Sequence, residues 1–292
     1  MKNLLVTGAS GFLGWNICHY PQQDWQIIGT YYKNKVVYPH VKIHQLNITD
    51  KENLDRFFSN NKIDGVLHAA ALSQPNACAN NPELSFTINV EATTHLAQIC
   101  HDLKIPFLFT SSSQVFDGDH APYSETDKPT PIHIYAEHKL LAEKQVLEVN
   151  PNAIVVRMPL MFGATSSASE NFLKGWLTKM RNGEQLNVFT DEYRVPASGQ
   201  SAADGLFLLL NKNVNGLFHL AGKDRVSRAD MADLIQKVFK IPNANIRKCL
   251  QSDVVMAAKR PKDLSLVCDK MVELGYELRG MVEELRKLAG EL

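Results

Sequence analysis

Three side chains have the types and spacing of a group that donates a proton to a carbonyl oxygen. Tyr135 and Lys139 stand four residues apart at the start of a helical pattern, so both can point into one cleft. A neighbouring ammonium stabilises a phenolate and lowers the pKa of the tyrosine, as a proton donor requires. Ser112 lies in a hydroxyl-rich strand end, 110–113, where a hydroxyl can hydrogen-bond a substrate carbonyl. We therefore expect Ser112, Tyr135 and Lys139 to be catalytic.

Each of these signals is weak when taken alone. The tyrosine–lysine spacing recurs at positions 31 and 35 and at positions 38 and 42, in or beside a loop where no helix is expected. Hydroxyls at a strand end can also satisfy their own loop. Only Tyr135 follows a serine-rich strand end, and that combination favours catalysis.

A glycine-rich turn directly follows the first apolar run of the chain. Gly8, Gly11 and Gly14 recur every three residues between an apolar strand pattern and an apolar helical stretch. Glycine is needed where a Cβ would block a ligand or where φ is positive, and amides at a helix N-terminus then face a pyrophosphate. This context predicts a dinucleotide site rather than an ordinary tight turn. The residues expected to hold the dinucleotide here are Gly8, Ser10, Gly11, Phe12, Leu13 and Gly14.

The segment after the second apolar run bears on the choice of cofactor. A site selective for NAD usually places an acid there for the ribose 2′-hydroxyl. Residues 29–35 contain no acid; Tyr31 lies there, and Lys33 and Lys35 could meet a 2′-phosphate. A solvated basic loop is the other interpretation of the two lysines. We expect NADP as the preferred cofactor and NAD as the alternative.

Short apolar runs alternate with helical patterns in the first half of the chain, which predicts an α/β fold. Right-handed crossovers favour a doubly wound parallel Rossmann sheet, with its ligand crevice at the carboxyl ends of the strands. The predicted strands are 3–7, 25–31, 41–46, 65–68, 107–111 and 153–157, and the predicted helices are 51–59, 82–103, 134–149, 170–181, 201–210, 228–239 and 281–288.

The pattern loosens after residue 159, which predicts a second, smaller unit. We expect a dinucleotide-binding Rossmann domain at 1–158 and a C-terminal lobe, mainly 159–292, that binds substrate. Parts of 195–220 are expected to return to the first domain.

Composition argues against several classes of protein. The chain has 31 basic and 31 acidic residues and no basic stripe, so nucleic acid is not an expected partner. Five scattered cysteines without a CxxC pair indicate neither a disulfide framework nor a zinc site. No HExxH or GxSxG pattern occurs, so neither a metal nor a serine-hydrolase site is expected. With no segment resembling a signal peptide or a membrane span, we expect a cytoplasmic protein.

Together these motifs resemble the extended short-chain dehydrogenase/reductases over nearly the whole chain. The family's TGxxGxxG turn is similar to residues 7–14, its strand-four motif to 68–71 and its Arg-x-Pro segment to 157–159. The resemblance implies that Lys139 holds the nicotinamide ribose and that Asn89 has a structural and proton-relay position. It further implies cofactor contacts at Asn47, Ile48, Ala69, Ala70, Ala71, Asn89, Tyr135, Lys139 and Pro159.

Within that family the chain resembles dTDP-4-dehydrorhamnose reductase and related sugar reductases. Residues 115–118 are similar to their VFDG segment, 122–125 to their PYxE turn and 260–266 to their RPxxSxL stretch. Residues 191–196 only loosely resemble their DQxGxPT segment, which contacts substrate, so the identity of the sugar is left open. The resemblance implies reduction of a keto group in a nucleotide sugar, with substrate contacts at Ser113, Asn171, Phe172 and Arg194.

Two other functions remain compatible with the same motifs. One is a nucleotide-sugar epimerase or dehydratase with tightly held NAD. The other is a non-catalytic NADP-binding subunit, because the regulatory subunit of methionine adenosyltransferase resembles these reductases. The family also implies a homodimer formed through the helices near 82–103 and 134–149.

Overall fold

A computed structural model describes residues 1–20, 23–255 and 258–291. Its strands are β1 (Lys2–Thr7), β2 (Trp25–Tyr31), β3 (Lys42–Gln45), β4 (Gly65–His68), β5 (Phe107–Ser112), β6 (Ile154–Met158), β7 (Met161–Phe162), β8 (Leu186–Phe189), β9 (Tyr193–Arg194), β10 (Ala197–Ser198), β11 (Gly216–His219), β12 (Val226–Ser227) and β13 (Ile246–Cys249). Its α-helices are α1 (Phe12–His19), α2 (Lys51–Asn60), α3 (Pro75–Asn80), α4 (Pro82–Phe86), α5 (Ala92–Asp102), α6 (Ile134–Val149), α7 (Phe172–Arg181), α8 (Gly199–Lys212), α9 (Arg228–Val238), α10 (Asp269–Glu273) and α11 (Met281–Glu291).

Seven parallel strands form the central sheet, in the order β11–β6–β5–β4–β1–β2–β3. The order reverses between β1 and β4, and a ligand crevice forms at such a reversal. In β1, Leu4, Leu5 and Val6 are fully buried because helices cover both faces of the sheet. The predicted α/β fold with a doubly wound parallel sheet is confirmed.

The two faces of the sheet have separate apolar layers. Helices α1 and α8 pack on each other over one face, and α2, α5 and α6 cover the other. A third apolar cluster joins α7, α9 and α11 to β8, away from the central sheet. Because α8 and β11 come from residues after 198, the later part of the chain completes the sheet and its covering layer. The predicted domain boundaries themselves stay a prediction.

Polar caps decide where four of the helices begin. The side chains of Asp50, Asn171, Ser198 and Ser227 each accept a hydrogen bond from an amide in the first turn of α2, α7, α8 and α9. The cap at Asn171 begins α7 at Phe172 rather than at the predicted residue 170. Apart from 82–103, every predicted element lies within three residues of an observed one at each end.

The predicted helical stretch over 82–103 is helical from Pro82 to Asp102, but it is not a single α-helix. The chain instead forms α4, a π-helical turn at Thr87–Glu91 and then α5. The π turn contains Asn89, whose amide nitrogen donates to the carbonyl of Leu72 at 3.0 Å and whose oxygen accepts from the Leu72 amide at 2.9 Å. These two bonds hold the loop after β4 against the π turn. The π turn contains one more residue than an α-helical turn, at the point where the side chain of Asn89 points inward.

Candidate active site

A cleft of about 1070 Å³ lies at the carboxyl ends of β1, β2, β4 and β5 and extends to α7 and α9. It brings together every predicted site residue except Asn89 and Lys35. Those lining it are Gly8, Ser10, Gly11, Phe12, Leu13, Gly14, Tyr31, Lys33, Asn47, Ile48, Ala69, Ala70, Ala71, Ser112, Ser113, Tyr135, Lys139, Pro159, Asn171, Phe172 and Arg194.

Asn89 lies outside the lining of the cleft and is 1% exposed. Its amide group is taken up by the backbone of Leu72, and its nitrogen also donates to Ser85 Oγ at 3.1 Å. These bonds make Asn89 a support for the loop that lines the cleft, in accord with the structural position that the resemblance implies. Direct contact of Asn89 with the cofactor stays a prediction and is not favoured by this geometry. The sequence motif places the residue near the site but does not show which way its side chain is turned.

The glycine turn after β1 is packed against the end of β4. Gly8 has φ +70°, and a Cβ there would lie 2.7 Å from the Cα of Ala70. Thr7 Oγ1 accepts from the amide of Ala70 at 3.2 Å and contacts His68 Nδ1 at 2.7 Å, which ties the two strand ends together. Helix α1 then begins at Phe12, directly after Gly11, so its free amides face the cleft. This is a backbone cradle whose amides can meet the negative charge of a pyrophosphate.

The end of β2 forms the rim of the cleft beyond this turn. Tyr31 and Lys33 both line the rim, and Lys33 Nζ lies 5.4 Å from the ring centre of Tyr32. Asn47, after β3, turns its side-chain oxygen toward its own chain, where it accepts from the amide and hydroxyl of Thr49 at 3.2 and 3.0 Å. Lys33 therefore supplies the positive charge of this rim.

The hydroxyl, phenol and ammonium of the predicted catalytic group come from two neighbouring elements. Ser112 ends β5, and the first turns of α6 carry Tyr135 and Lys139. His133 caps that helix, its Nδ1 accepting from the amide of Ala136 at 3.2 Å. The hydroxyl of Ser112 is close enough to the phenol of Tyr135 to act on its pKa, and both side chains line the cleft. A carbonyl oxygen bound between them would meet both groups.

The structure reverses the expected effect on the pKa of Tyr135. Burial raises this pKa to about 12, the hydrogen bond with Ser112 acts to lower it, and the nearby Cys78 adds to the increase. Lys139 does not offset the burial, because its ammonium is directed elsewhere. Lys139 Nζ donates to the carbonyl of Thr110 at 2.7 Å and lies 4.1 Å from the ring centre of Phe109.

Lys139 is itself strongly perturbed. Burial lowers its pKa to about 7, and Glu143 and then Cys78 act to raise it. The sequence spacing correctly brings Tyr135 and Lys139 into one cleft. The spacing does not predict how far burial shifts the pKa values of the two groups, because burial depends on all the residues packed around them.

Aromatic rings and an arginine form the far end of the cleft. Phe172 and Trp176 on α7 are in edge-to-face contact, with ring centres 5.0 Å apart. The guanidinium of Arg228 lies 4.4 Å from the centre of each ring. Asn171 is committed to the helix start, because its oxygen caps α7 and its nitrogen donates to the carbonyl of Gly163 at 2.8 Å.

Arg194 lines this end of the cleft, but its guanidinium group is hydrogen-bonded to other residues of the protein. It pairs with Glu192 at 3.0 Å and donates to the backbone carbonyls of Tyr193, Pro261 and Lys262. These bonds join β9 to the segment that follows residue 260. Direct recognition of substrate by this guanidinium is therefore not favoured, and Arg194 shapes the wall instead.

Two further arginines of the cleft were not predicted as site residues. Arg228 begins α9, and burial lowers its pKa to about 10 while Glu192 acts to raise it. Arg260 lies in the segment that resembles the RPxxSxL stretch, which is the signal that could have identified it. Within the described part of the chain, no ion pair of Arg260 is found. Three guanidinium groups and the carboxylates of Glu170 and Glu192 leave a net charge of +1 at this end of the cleft.

A doubly wound sheet with Ser112, Tyr135 and Lys139 in its crevice defines an extended short-chain dehydrogenase/reductase. Within that class, the chain belongs to the family described as RmlD substrate binding domain, whose sequence profile matches residues 1–292. No helix in the described ranges is long and apolar enough to cross a membrane.

Proteins similar to this chain differ in the functions that their names state. The chain is 30% identical over 288 residues to the probable low-salt glycan biosynthesis reductase Agl14 of Haloferax volcanii, covering 97% of this chain and 96% of that one. It is 28% identical over 285 residues to methionine adenosyltransferase 2 subunit beta of Rattus norvegicus, covering 95% and 84%. The crystal structure of a dTDP-4-dehydrorhamnose reductase from Clostridium acetobutylicum is similar with a TM-score of 0.84, 25% identity and 99% coverage of both chains.

Proposed function

We propose that this protein is an NADP-dependent reductase that acts on a keto group of a nucleotide-linked sugar. The observation that carries the proposal is that Ser112 and Tyr135 line one cleft, between a glycine cradle and an arginine-rich wall. Two relatives with reductase names, from Haloferax volcanii and Clostridium acetobutylicum, support it across nearly the whole chain.

The residues of the cradle fit a dinucleotide with a 2′-phosphate. The backbone of Ala70 approaches Gly8 so closely that a Cβ there would clash with it, which keeps the turn tight. The amides at the start of α1 are then free to meet the pyrophosphate of a dinucleotide. At the rim, Lys33 is exposed and lies where an acid would select against the 2′-phosphate. NADP is therefore the preferred cofactor and NAD the alternative. When bound, the reduced cofactor supplies the hydride.

Two side chains of the protein bind and protonate the carbonyl oxygen of the substrate. Ser112 donates a hydrogen bond to that oxygen, and Tyr135 donates the proton as the negative charge develops. A pKa of about 12 keeps Tyr135 protonated at neutral pH, so it is poised as the acid of a reduction. Both side chains are less than a tenth exposed, which limits competing contact with water.

The arginine-rich wall supports a substrate that carries a diphosphate. Arg228 and Arg260 provide guanidinium donors that suit phosphate oxygens, and the net charge of the wall is positive. The rings of Phe172 and Trp176 stand beside them. We accordingly assign 1–158 to the dinucleotide and mainly 159–292 to the substrate.

Binding and turnover are the two measurements that test this function. We expect isothermal titration to show tighter binding of NADPH than of NADH, and turnover of dTDP-4-dehydrorhamnose to consume NADPH. Tyr135→Phe should keep NADPH binding and lose turnover by about 10²–10⁴-fold, because only the proton donor is removed. Tyr276→Phe is the matched control, since that hydroxyl is buried with no hydrogen-bond partner among the described residues. Failure to bind either nucleotide would contradict the proposal.

A second function, that of a nucleotide-binding subunit, is supported by the 28% identity to methionine adenosyltransferase 2 subunit beta. NADPH binding without turnover of any keto-sugar nucleotide, together with a stable heteromeric partner, would favour it. Retention of NAD through purification would instead favour an epimerase or dehydratase.

Assembly and cellular location stay predictions. Helices α5 and α6 pack on each other along one face of the sheet, the region from which the homodimer is expected. Light scattering after size-exclusion chromatography measures the homodimer directly. A cytoplasmic location accords with the five free cysteines of the structure.

A further inference from the structure

Three charged side chains lie buried beneath the catalytic end of the cleft, and the proposed reaction uses only one of them. Lys139 is 2% exposed, Glu143 is 4% exposed and Arg157 is 3% exposed. A buried charge is unfavourable unless it is paired and hydrogen-bonded. The burial of Glu143 and Arg157 therefore requires an explanation that the proposed reaction does not give.

The carboxylate of Glu143 joins α6 to two strands of the sheet. Its Oε1 accepts from Ser111 Oγ on β5 at 2.5 Å, and its two oxygens accept from the guanidinium of Arg157 on β6 at 2.8–3.2 Å. Ser111 directly precedes Ser112 in β5. Because charge-assisted bonds have strict geometry, the strand end that carries Ser112 is held in place relative to the helix that carries Tyr135.

Arg157 is held from its other side as well. Its Nη1 lies 3.3 Å from His219 Nε2 on β11. Burial and the charge of Arg157 lower the pKa of His219 to about 3, so this ring is neutral and accepts. The other ring nitrogen then donates toward the carbonyls of Tyr123 and Val267, each at 3.2 Å. The pair of Glu143 and Arg157 is thus fixed at both ends.

Lys139 lies one helical turn before Glu143 on the same face of α6. Its single protein acceptor is the carbonyl of Thr110, at 2.7 Å, among the bonds found in the described residues. Burial keeps the neighbouring phenol and thiol protonated and one neighbouring imidazole neutral, which leaves Glu143 as the negative charge beside the ammonium. The ionisable groups that face Lys139 are Tyr135 and Glu143 on α6, Cys78 on α3 and His68 on β4.

We propose that Glu143 is a positioning residue for the reduction. Held by Arg157, its carboxylate fixes the end of β5 through Ser111 and places a negative charge one helical turn from the buried ammonium of Lys139. This inference rests on the proposed function and names how the same site keeps its geometry and charge.

The charge part is tested on the full chain without substrate, by NMR of [¹³Cε]lysine. The Lys139 signal is identified by its loss in Lys139→Arg and followed against pH. We expect a wild-type midpoint near pH 7. In Glu143→Gln the midpoint should fall by about one pH unit or more, because the carboxamide keeps the size of the side chain and lacks its charge. Glu148→Gln, on the exposed side of the same helix, should keep the wild-type midpoint. An unchanged midpoint in Glu143→Gln overturns the proposal.

The positioning part is tested with Ser111→Ala, which removes the bond to Glu143 and no charge. We expect kcat to fall by about tenfold while KM for NADPH and the Lys139 midpoint stay at their wild-type values. An unchanged kcat overturns this part. If the wild type shows no turnover, the proposed function fails by itself, and the Lys139 midpoint still decides the role of Glu143.

Glu143→Gln leaves the buried guanidinium of Arg157 unpaired, so the variant can fail to fold. The double variant Glu143→Gln/Arg157→Met removes both charges and fills the space with apolar atoms. Its Lys139 midpoint is expected below that of the wild type, and a midpoint equal to the wild-type value overturns the proposal.

Discussion

Burial favours the neutral form of Lys139, so the stability of the folded protein depends on pH. Its pKa is about 7 in the folded protein and about 10.4 in an unfolded chain. Between these values the unfolded chain binds more protons, so the free energy of unfolding rises with pH. Relative to Lys139→Met, wild type should gain about 2–3 kcal/mol between about pH 6 and about pH 9. Urea unfolding of both proteins measures this, and parallel pH profiles would contradict it.

Arg260 offers a guanidinium that no described ion pair neutralises, in a wall built for an anionic substrate. Arg260→Gln should raise KM for a keto-sugar nucleotide by about 10–100-fold, because a charge-assisted bond to phosphate is lost. KM for NADPH should not change. The control is Arg247→Gln, an exposed arginine that does not line the cleft. Equal effects of the two variants on KM for the sugar nucleotide would refute the assignment.

At the scale of elements, two glycines with nearly the same φ angle allow the effect of backbone strain to be distinguished from the effect on ligand binding. Gly8 has φ +70° and the backbone of Ala70 against it, whereas Gly183 has φ +69° and open space around it. Alanine at either position costs about 1–2 kcal/mol in backbone strain. Only Gly8→Ala should also weaken NADPH binding, by about tenfold or more, because the turn must move. Thermal unfolding and isothermal titration together measure both effects, and equal NADPH affinities would count against the phosphate cradle.

The central strands are predictable from sequence because burial on both faces leaves continuous apolar runs such as Leu4 to Val6. The location of the site residues is predictable from these strands as well, because parallel strands place their carboxyl ends at one edge of the sheet. The inward turn of Asn89 is not predictable, because it depends on a hydrogen bond to a loop seventeen residues away in sequence. The self-contained bonding of Arg194 is not predictable either, because its partners at Pro261 and Lys262 are close only in the folded chain.

At the scale of the whole molecule, the first 158 residues do not complete their own sheet. β11 pairs with β6 at its edge, and α8 covers α1. A fragment ending at residue 158 would expose both the edge of β6 and the apolar side of α1, where Ile17 is fully buried in the intact chain. We expect this fragment to lack a cooperative unfolding transition by circular dichroism. A cooperative transition with NADPH binding would show that the first unit folds by itself.

The contact of Trp176 with Phe172 and Arg228 has an optical consequence. The chain has three tryptophans, and Trp176 lines the substrate end of the cleft. Trp25 is 4% exposed and donates to Asn211, and Trp15 stacks on His19 with ring centres 4.4 Å apart. The indole emission of Trp176 therefore reports on the occupant of the sugar-nucleotide end, and a chain with Phe at positions 15 and 25 would carry this built-in fluorophore alone.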